Sequence, residues 1–342
     1  MLETVKILCA LAGVSGCEGE VRDYILARAL DLADKIETDP MGNLLVFKKG
    51  RVSLEKPVML CAHMDEVGVI VTAVTENGYL KFDFVGGVDR RVALGKRVLL
   101  GPARVPGLIG LRALHLLSDD ERKAVPKTEA LYIDIGETSE EAALKKIRLG
   151  DCGIFGGEPV SFGEGYVKAR AIDDRAGCAA MLLLLAGELP CDTWFAFTVQ
   201  EEVGTRGASV AAWRLEPAYA LVLEGTTAAD LPDVAPENII CRVGGGVVIP
   251  FMDGGTLYDR GLYDLAVRTA EKNGIPWQTK NRIAGGTDAA AIQRSRGGVR
   301  TLALSVALRG IHSPACVAAA ADLEALPRLA ALLLEEIASG EE

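Results

Sequence analysis

The sequence lacks an excess of basic residues, a long apolar run and a leader-like start. Its 37 lysines and arginines are outnumbered by 47 acidic residues, giving a net charge of −10, which excludes a basic protein that wraps nucleic acid. The longest apolar run, residues 178–186, is far shorter than the ~20 residues of a membrane span. Glu3 and Lys6 interrupt the first residues, unlike a secretory signal. We therefore expect a cytoplasmic protein with neither nucleic acid nor membrane as a partner.

Cysteine pairs at metal-binding spacing are also absent. The eight cysteines are scattered, and no Cys-x-x-Cys occurs. We expect reduced thiols that are buried as small apolar side chains, and no zinc–cysteine site. The sequence has no Gly-x-Ser-x-Gly elbow, and no Lys-Ser or Lys-Thr follows the glycines at residues 244–246. These absences argue against a serine hydrolase and a phosphate-binding loop.

The 342 residues are enough for two domains, and 49% hydrophobic with 25% charged is the composition of a folded globular protein. Near both ends of the chain, strands alternate with helices, which predicts an α/β fold with a mixed, mostly parallel sheet flanked by helices. Between them, short alternating runs broken by glycine and proline predict a small β-rich domain. The predicted division is an α/β domain of residues 1–67 plus 165–342 and an inserted domain of residues 68–164. Helices are predicted over residues 178–189, 257–272 and 323–337, and strands over residues 44–48, 57–62, 193–200, 219–224 and 301–308.

Two of the three histidines follow predicted strands. His63 comes directly after the apolar run 57–62, so it emerges at the carboxyl end of a strand, where open α/β sheets bind ligands. Asp65 is two residues further on, and in extended chain both side chains point to the same side. Asp65 can therefore hold the imidazole in one tautomer, as metal-bound imidazoles commonly require.

Carboxylates follow several other predicted strands. The acidic residues with this placement, together with a second histidine, are Asp173, Asp174, Glu201, Glu202, Glu224 and His312. Gathered at one edge of the sheet and unpaired, these carboxylates would repel one another strongly. Bound cations resolve that conflict, so the pattern indicates a metal site.

Mixed imidazole and carboxylate ligands suit Zn²⁺ or Co²⁺, with Mn²⁺ as a further candidate. Two ions that share a carboxylate would polarise a carbonyl and activate a water. One carboxylate must remain free to accept the proton of that water, and the Glu201–Glu202 doublet offers one residue for each task. Adjacent strand residues point to opposite faces, so both can reach the site only if the backbone turns there.

Six short motifs resemble the M42 family of metallo-aminopeptidases, the group of tetrahedral and glutamyl aminopeptidases among the co-catalytic zinc peptidases. They occur in the family's order, as residues 63–68, 171–175, 201–204, 224–227, 285–288 and 311–314. The resemblance implies the co-catalytic zinc peptidase fold. It also implies a hydrolase that removes N-terminal residues from peptides and carries two divalent cations per chain.

The resemblance also implies a role for each matching residue. His63 would bind one metal, His312 and Glu202 would bind the other, Asp173 would bridge the two, and Glu224 would be the last ligand, where family members often have Asp. Glu201 would be the general base and Asp65 the carboxylate that orients His63. The segment 285–288 would line the site, with Gly286, Thr287 and Asp288 as the candidate substrate-binding residues. The inserted domain would be a barrel-like dimerisation and assembly domain, and only the resemblance predicts self-association from dimer to dodecamer.

The same residues are compatible with other functions. The nearest alternative is a related dinuclear amidohydrolase, either a carboxypeptidase or a deacylase that deblocks N-acyl peptides. A catalytically silent metal scaffold and a polysaccharide hydrolase fit less well, because the first needs no free base and the second needs no histidines. An acid-preferring pocket would need a nearby cation, and the candidates in the sequence are Arg282, Arg294, Arg296 and Arg309.

Overall fold

The structure, a computed structural model, describes residues 1–340. Its α-helices are α1 (Leu2–Ala10), α2 (Gly19–Ala29), α3 (Arg90–Ala93), α4 (Asp119–Lys123), α5 (Glu140–Leu144), α6 (Ile172–Leu185), α7 (Arg206–Leu215), α8 (Arg260–Lys272), α9 (Ala289–Gln293) and α10 (Ala320–Ser339). Its strands are β1 (Lys35–Thr38), β2 (Leu44–Lys48), β3 (Val58–His63), β4 (Gly68–Val74), β5 (Leu80–Val85), β6 (Arg97–Leu100), β7 (Val105–Gly110), β8 (Tyr132–Asp134), β9 (Cys152–Phe155), β10 (Val160–Phe162), β11 (Tyr166–Ala169), β12 (Thr193–Thr198), β13 (Tyr219–Thr227), β14 (Val247–Val248), β15 (Trp277–Gln278), β16 (Arg300–Leu308) and β17 (Cys316–Ala319).

A large mixed sheet forms the centre of the α/β part. Its eight strands lie in the order β1-β2-β12-β3-β13-β16-β14-β15. The four middle strands, β12, β3, β13 and β16, are parallel. At one side of them β2 pairs antiparallel with β12 and β1, and at the other β14 pairs antiparallel with β16 and parallel with β15. Every residue of β3 is buried, as its continuous apolar run predicts for a strand covered on both faces. The predicted mixed α/β sheet is therefore confirmed.

The predicted helices and strands are present with shifted ends, and two of these shifts have local causes. The predicted strand 193–200 ends two residues early as β12, because Gln200 has a left-handed φ of 57°. The predicted helix 257–272 begins later as α8, because the Asp259 carboxylate accepts a hydrogen bond from the Leu262 N–H and caps the first turn. Within residues 1–340, no helix is both long and apolar enough to cross a membrane.

A small closed barrel follows the first part of the large sheet. Six antiparallel strands close it in the order β4-β5-β8-β7-β6-β9. Apolar residues fill its interior, among them Val69, Leu80, Val98, Ile133 and Phe155. The next strand, β10, belongs to a separate three-stranded sheet, in which β11 is the middle strand and pairs with both β10 and β17. The predicted β-rich segment is thus a barrel, while the exact domain boundaries stay a prediction.

One pair of cysteines corrects the expectation of eight reduced thiols. Cys17 and Cys152 form a disulfide, which joins the loop between α1 and α2 to the barrel strand β9. The error has a simple physical reason, since the two cysteines are 135 residues apart in sequence and only the fold brings them together. The other six cysteines are free and buried, as expected.

Candidate metal centre

The carboxyl edge of the large sheet gathers the predicted ligands and the predicted base. They are His63 at the end of β3, Glu201 and Glu202 just after β12, Glu224 in β13, His312 beyond β16 and Asp173 in the first turn of α6. The parallel register explains this convergence, because Thr198 of β12 lies beside His63 and Glu224 lies beside Ser305 of β16.

Asp173 lies between the two histidines. Its Oδ1 atom is 3.4 Å from Nε2 of His63, and its Oδ2 atom is 3.6 Å from Nε2 of His312. Each imidazole also faces a glutamate, with His63 Nε2 3.3 Å from Glu224 Oε1 and His312 Nε2 3.1 Å from Glu202 Oε2. The arrangement therefore consists of two imidazole–carboxylate pairs that share one carboxylate, as two neighbouring cations require.

The donor set fits divalent cations. Ligand atoms of His63, Asp173 and Glu202 lie within 4.8 Å of one another, as do those of His63, Asp174 and Glu224. Among the described residues, the buried atoms Asp173 Oδ1 and Glu224 Oε2 have no hydrogen-bond partner. Buried polar atoms are normally satisfied, so these carboxylate oxygens are free to bind a metal.

The chain turns directly before the glutamate doublet, as the expectation that both glutamates reach the site requires. Gln200 has φ of 57°, and Asp65 then accepts hydrogen bonds from the N–H groups of Glu201 and Glu202 at 3.0 and 3.1 Å. Asp65 therefore holds the turn that carries both glutamates, a contact that the two-residue pattern did not predict.

The loop between α1 and α2 supports the same turn. Ser15 Oγ donates a 2.6 Å hydrogen bond to Asp65. The Glu18 carboxylate accepts hydrogen bonds from the N–H groups of Gln200 and Gly16, at 3.2 and 2.7 Å. Since Ser15 and Glu18 lie far from the motifs in sequence, nothing in the sequence points to this role.

Backbone carbonyls orient both imidazoles. Nδ1 of His63 lies 3.1 Å from the Asp65 carbonyl oxygen, and 3.5 Å from the Asp65 carboxylate. Nδ1 of His312 lies 3.2 Å from the carbonyl oxygen of Gly87, in the segment after β5. With Nδ1 donating to a carbonyl, each ring presents Nε2 to the carboxylates, as a metal ligand must. Gly87 has no recognisable signal in the sequence.

The pKa values show excess negative charge at this edge. Burial raises the pKa of Glu202 to about 7, and the Asp173 charge adds to the effect. Burial raises the pKa of Glu224 well above its usual value, again with a contribution from Asp173. Burial would lower the pKa of His312, but Asp173 and Glu202 raise it to about 9. Protons are thus held where cations would otherwise compensate the charge.

Glu201 differs from the other carboxylates of the site. Burial raises its pKa well above the usual value, and the charge of Glu224 adds to the shift. Within the described part of the chain, no hydrogen bond or ion pair engages its carboxylate, although it borders a cavity of about 160 Å³ beside the ligands. A half-buried, unengaged carboxylate with a raised pKa is suited to accept a proton.

The three candidate substrate-binding residues have different positions. Gly286 and Thr287 line the 160 Å³ cavity. Asp288 is buried, and its Oδ2 atom accepts a 2.6 Å hydrogen bond from Thr198 Oγ1. Burial raises the pKa of Asp288 to about 6.

Two further residues support the site. The Asp174 carboxylate accepts hydrogen bonds from the N–H groups of His63 and Gly177, at 3.2 and 2.8 Å, and so ties β3 to α6. Gly225 follows Glu224, and a Cβ atom there would lie only 2.8 Å from Asp173 Oδ1. The chain therefore needs a glycine where it passes the shared carboxylate.

Solved structures resemble this one over nearly the whole chain. A TET aminopeptidase from a marine sediment archaeon, Thaumarchaeota archaeon SCGC AB-539-E09, is 31% identical with a TM-score of 0.94, covering 100% of this chain and 98% of that one. The TET1 peptidase of Pyrococcus horikoshii, described as assembling into a tetrahedron or a large octahedral shell, is 35% identical with a TM-score of 0.86, covering 98% of this chain and 99% of that one.

Curated sequences agree with the structures. The glutamyl aminopeptidase of Lactococcus lactis is 32% identical over 92% of this chain and 90% of its own length. The lysyl aminopeptidase of Pyrococcus furiosus is 31% identical over 98% of this chain and 97% of its own length. The family model of the M42 glutamyl aminopeptidases matches residues 42–329. The chain belongs to the M42 glutamyl aminopeptidase family and is a peptide-bond hydrolase.

Proposed function

We propose that the protein is a dinuclear-metal aminopeptidase with the co-catalytic zinc peptidase fold. The observation that best supports two metals is the Asp173 carboxylate, whose oxygens face Nε2 of His63 and Nε2 of His312 at 3.4 and 3.6 Å. Membership of the M42 family supports action on the N-terminal residue of a peptide.

Two cations, Zn²⁺ or Co²⁺ with Mn²⁺ as a further candidate, would be held by two sets of ligands that share Asp173. The first set adds His63 and Glu224, and the second adds His312 and Glu202. When bound, such a pair of cations polarises the scissile carbonyl and makes a water molecule more acidic.

Glu201 acts as the general base. It accepts the proton of the attacking water and then donates that proton to the departing amine, which balances the hydrolysis. Its carboxylate suits this task because it borders the cavity without an engaged partner and has a raised pKa. Asp65 keeps it in place through the backbone N–H groups of the doublet. We assign Gly286, Thr287 and Asp288 to substrate binding.

Self-association and location are part of the proposal. The P. horikoshii relative forms large shells, and we propose that this chain also associates, from dimer to dodecamer, through residues 68–164. A cytoplasmic location is consistent with the six free cysteines, but the Cys17–Cys152 disulfide is unusual for that compartment.

Peptide hydrolysis by the metal-loaded protein tests the function. Unblocked tripeptides, their N-acetylated forms and their C-terminally amidated forms would be compared before and after chelation. We expect release of the N-terminal residue only from peptides with a free amine, and loss of release after chelation. Preferred hydrolysis of acetylated peptides would instead indicate a deblocking deacylase, and release from the carboxyl end a carboxypeptidase.

A further inference from the structure

A cavity beside the predicted metal ligands has room for one side chain of a substrate. Its volume is about 160 Å³, and beyond the ligands it is lined by Thr226, Thr227, Lys280, Thr287 and Ile311. A second cavity that borders Asp173 and His312 measures about 10 Å³, which is about the space of one water molecule. Of these two cavities, only the larger can receive a side chain.

Lys280 brings an unpaired positive charge to this cavity. The residue is only 5% exposed. Its Nζ atom donates one hydrogen bond, to the carbonyl oxygen of Ala284 at 3.1 Å, although an ammonium has three donors. Within residues 1–340, no carboxylate lies within 4.0 Å of this nitrogen. A buried charge normally has an ionic partner, so the two remaining donors indicate a missing anion.

The residues around Lys280 do not supply that anion. Burial lowers the pKa of Lys280, and the acidic side chains that oppose this shift are Asp253, Glu224 and Asp173. Asp253 already accepts hydrogen bonds from the N–H groups of Gly255 and Thr256. Glu224 and Asp173 belong to the predicted metal site, where bound cations would compensate their charge.

The backbone next to Lys280 is held in place. The N–H group of Asn281 donates to the Ile240 carbonyl at 2.8 Å, and its side-chain amide donates to the Ile239 carbonyl at 3.2 Å. The ammonium group is therefore presented from a fixed segment, which favours a defined binding position over a mobile surface charge.

The four arginines that the sequence offered as cations for an acid-preferring pocket have partners elsewhere. Arg282 bonds to Asn238, Arg294 to the Ala290 carbonyl, Arg296 to Glu216 and the Trp213 carbonyl, and Arg309 to Asp230. None of the four lines the 160 Å³ cavity. Among the lysines and arginines of residues 1–340, Lys280 is the one that does.

We propose that Lys280 determines specificity by binding the side-chain carboxylate of an acidic N-terminal residue, Glu or Asp, in this cavity. The inference rests on the proposed aminopeptidase function, which puts the scissile carbonyl beside Glu201 and the first side chain in the adjoining space. The carboxylate of the substrate would accept hydrogen bonds from the two free donors of the ammonium. Relatives named lysyl and glutamyl aminopeptidase show that family membership alone does not fix the preferred residue.

The test compares the unblocked tripeptides Glu-Ala-Ala and Gln-Ala-Ala, which differ in charge but hardly in shape. We expect wild-type protein to show a kcat/KM for Glu-Ala-Ala at least about tenfold higher, the usual scale for losing one charged hydrogen bond. In Lys280→Met that ratio falls to about one. In Lys280→Glu it falls below one, and the kcat/KM for Lys-Ala-Ala rises. Lys280→Arg retains a ratio above one.

Arg282→Met is the matched control, because it removes the same charge from the same segment outside the cavity, and its ratio should equal that of wild type. Zinc content and unfolding midpoint of each variant show that the site and fold are intact. A wild-type ratio near one, or an unchanged ratio in Lys280→Met, would overturn the role of Lys280.

A binding measurement separates this inference from the proposed function. Calorimetry of zinc-loaded protein with L-glutamate and L-glutamine needs no turnover. Suppose that no tripeptide is hydrolysed, but glutamate binds at least about tenfold more tightly than glutamine and does so only when Lys280 is present. The proposed aminopeptidase function would then be wrong, while binding of the carboxylate by Lys280 would be confirmed. Equal binding of both amino acids contradicts that role.

Discussion

The interior of the barrel and the carboxyl edge of the large sheet are both shielded from water, but different side chains fill them. Between residues 68 and 155, all of which the structure describes, no polar or charged side chain is buried. The carboxyl edge, in contrast, buries Asp173 and Glu224 with oxygens 3.4 and 3.3 Å from Nε2 of the buried His63. Apolar burial stabilises a fold, whereas clustered buried charges reduce its stability until a partner compensates them.

The two regions therefore contribute differently to the protein. Packing in the barrel stabilises the fold. The clustered charges at the edge of the sheet destabilise it, but they form a site that can bind cations. They also touch, since the Gly87 carbonyl orients His312 and the disulfide joins Cys17 to Cys152. A change in either region should have a characteristic signature, in stability for the barrel and in activity or pH dependence for the edge.

The largest expected effect is loss of the general base. We expect Glu201→Gln to lower kcat by about 10²–10⁴-fold, the usual contribution of a positioned acid–base group. Metal content should equal that of wild type, because the Glu201 side chain is not among the predicted ligands. Steady-state hydrolysis and elemental analysis of the same preparation check this, and near wild-type turnover with metals bound would contradict the assignment.

Truncation inside the barrel should act on stability instead. Ile133 is fully buried there, so Ile133→Ala should lower the free energy of unfolding by about 2–5 kcal/mol through lost contacts and a cavity. Urea unfolding measures the change, with the exposed Leu144→Ala as a control expected to change it by less than about 1 kcal/mol. An equal effect of both substitutions would show that the barrel interior is not the stabilising element.

The metal-free protein should lose stability as pH rises from about 5 to 9, and the carboxyl edge should be the cause. The pKa of Glu202 is raised from 4.5 to about 7 and that of His312 from 6.5 to about 9. A group whose pKa is higher in the folded than in the unfolded protein stabilises the fold fully at pH values below its unfolded pKa. This stabilisation disappears as the pH rises through the pKa of the folded state. Glu202 alone accounts for on the order of 3 kcal/mol of this loss.

Urea unfolding at pH values across that range tests the slope. Added Zn²⁺ should stabilise the protein most at the alkaline end, because metals replace protons on these ligands. Glu202→Gln should flatten the slope of the metal-free protein. A slope that is unchanged in this variant would show that Glu202 does not cause the pH dependence.

A smaller effect is expected from the disulfide between the two regions. Replacing both cysteines, Cys17→Ser with Cys152→Ser, should lower the free energy of unfolding by roughly 2–4 kcal/mol, because the unfolded chain loses a constraint. Thiol titration of denatured, unreduced wild type should find six free thiols. Eight thiols would show that the pair is reduced, and a reductant should not affect the doubly substituted protein.

The sequence predicts the central strands and the gathering of ligands because both depend on local patterns. A continuous apolar run identifies β3, and a polar residue that directly follows such a run, such as His63, lies at the ligand-binding edge of a parallel sheet. The ligand set follows because each member ends or follows its own predicted element.

The supporting contacts could not be predicted, because they join residues that are distant in sequence and often involve the backbone. Nothing in the sequence marks the Gly87 carbonyl as a partner of His312, or Ser15 as a partner of Asp65. Lys280 lies among several basic residues, and only the fold shows that it, rather than Arg282, borders the cavity. The disulfide was missed for the same reason.

Calorimetric titration of the metal-free protein with Zn²⁺ tests the two-metal site most directly. We expect about two ions per chain for wild type, about one for His312→Ala, and loss of tight binding at both positions for Asp173→Ala, because a shared carboxylate serves both ions. Tight binding of no ion, or a stoichiometry unchanged by the loss of Asp173, would contradict the shared-carboxylate site.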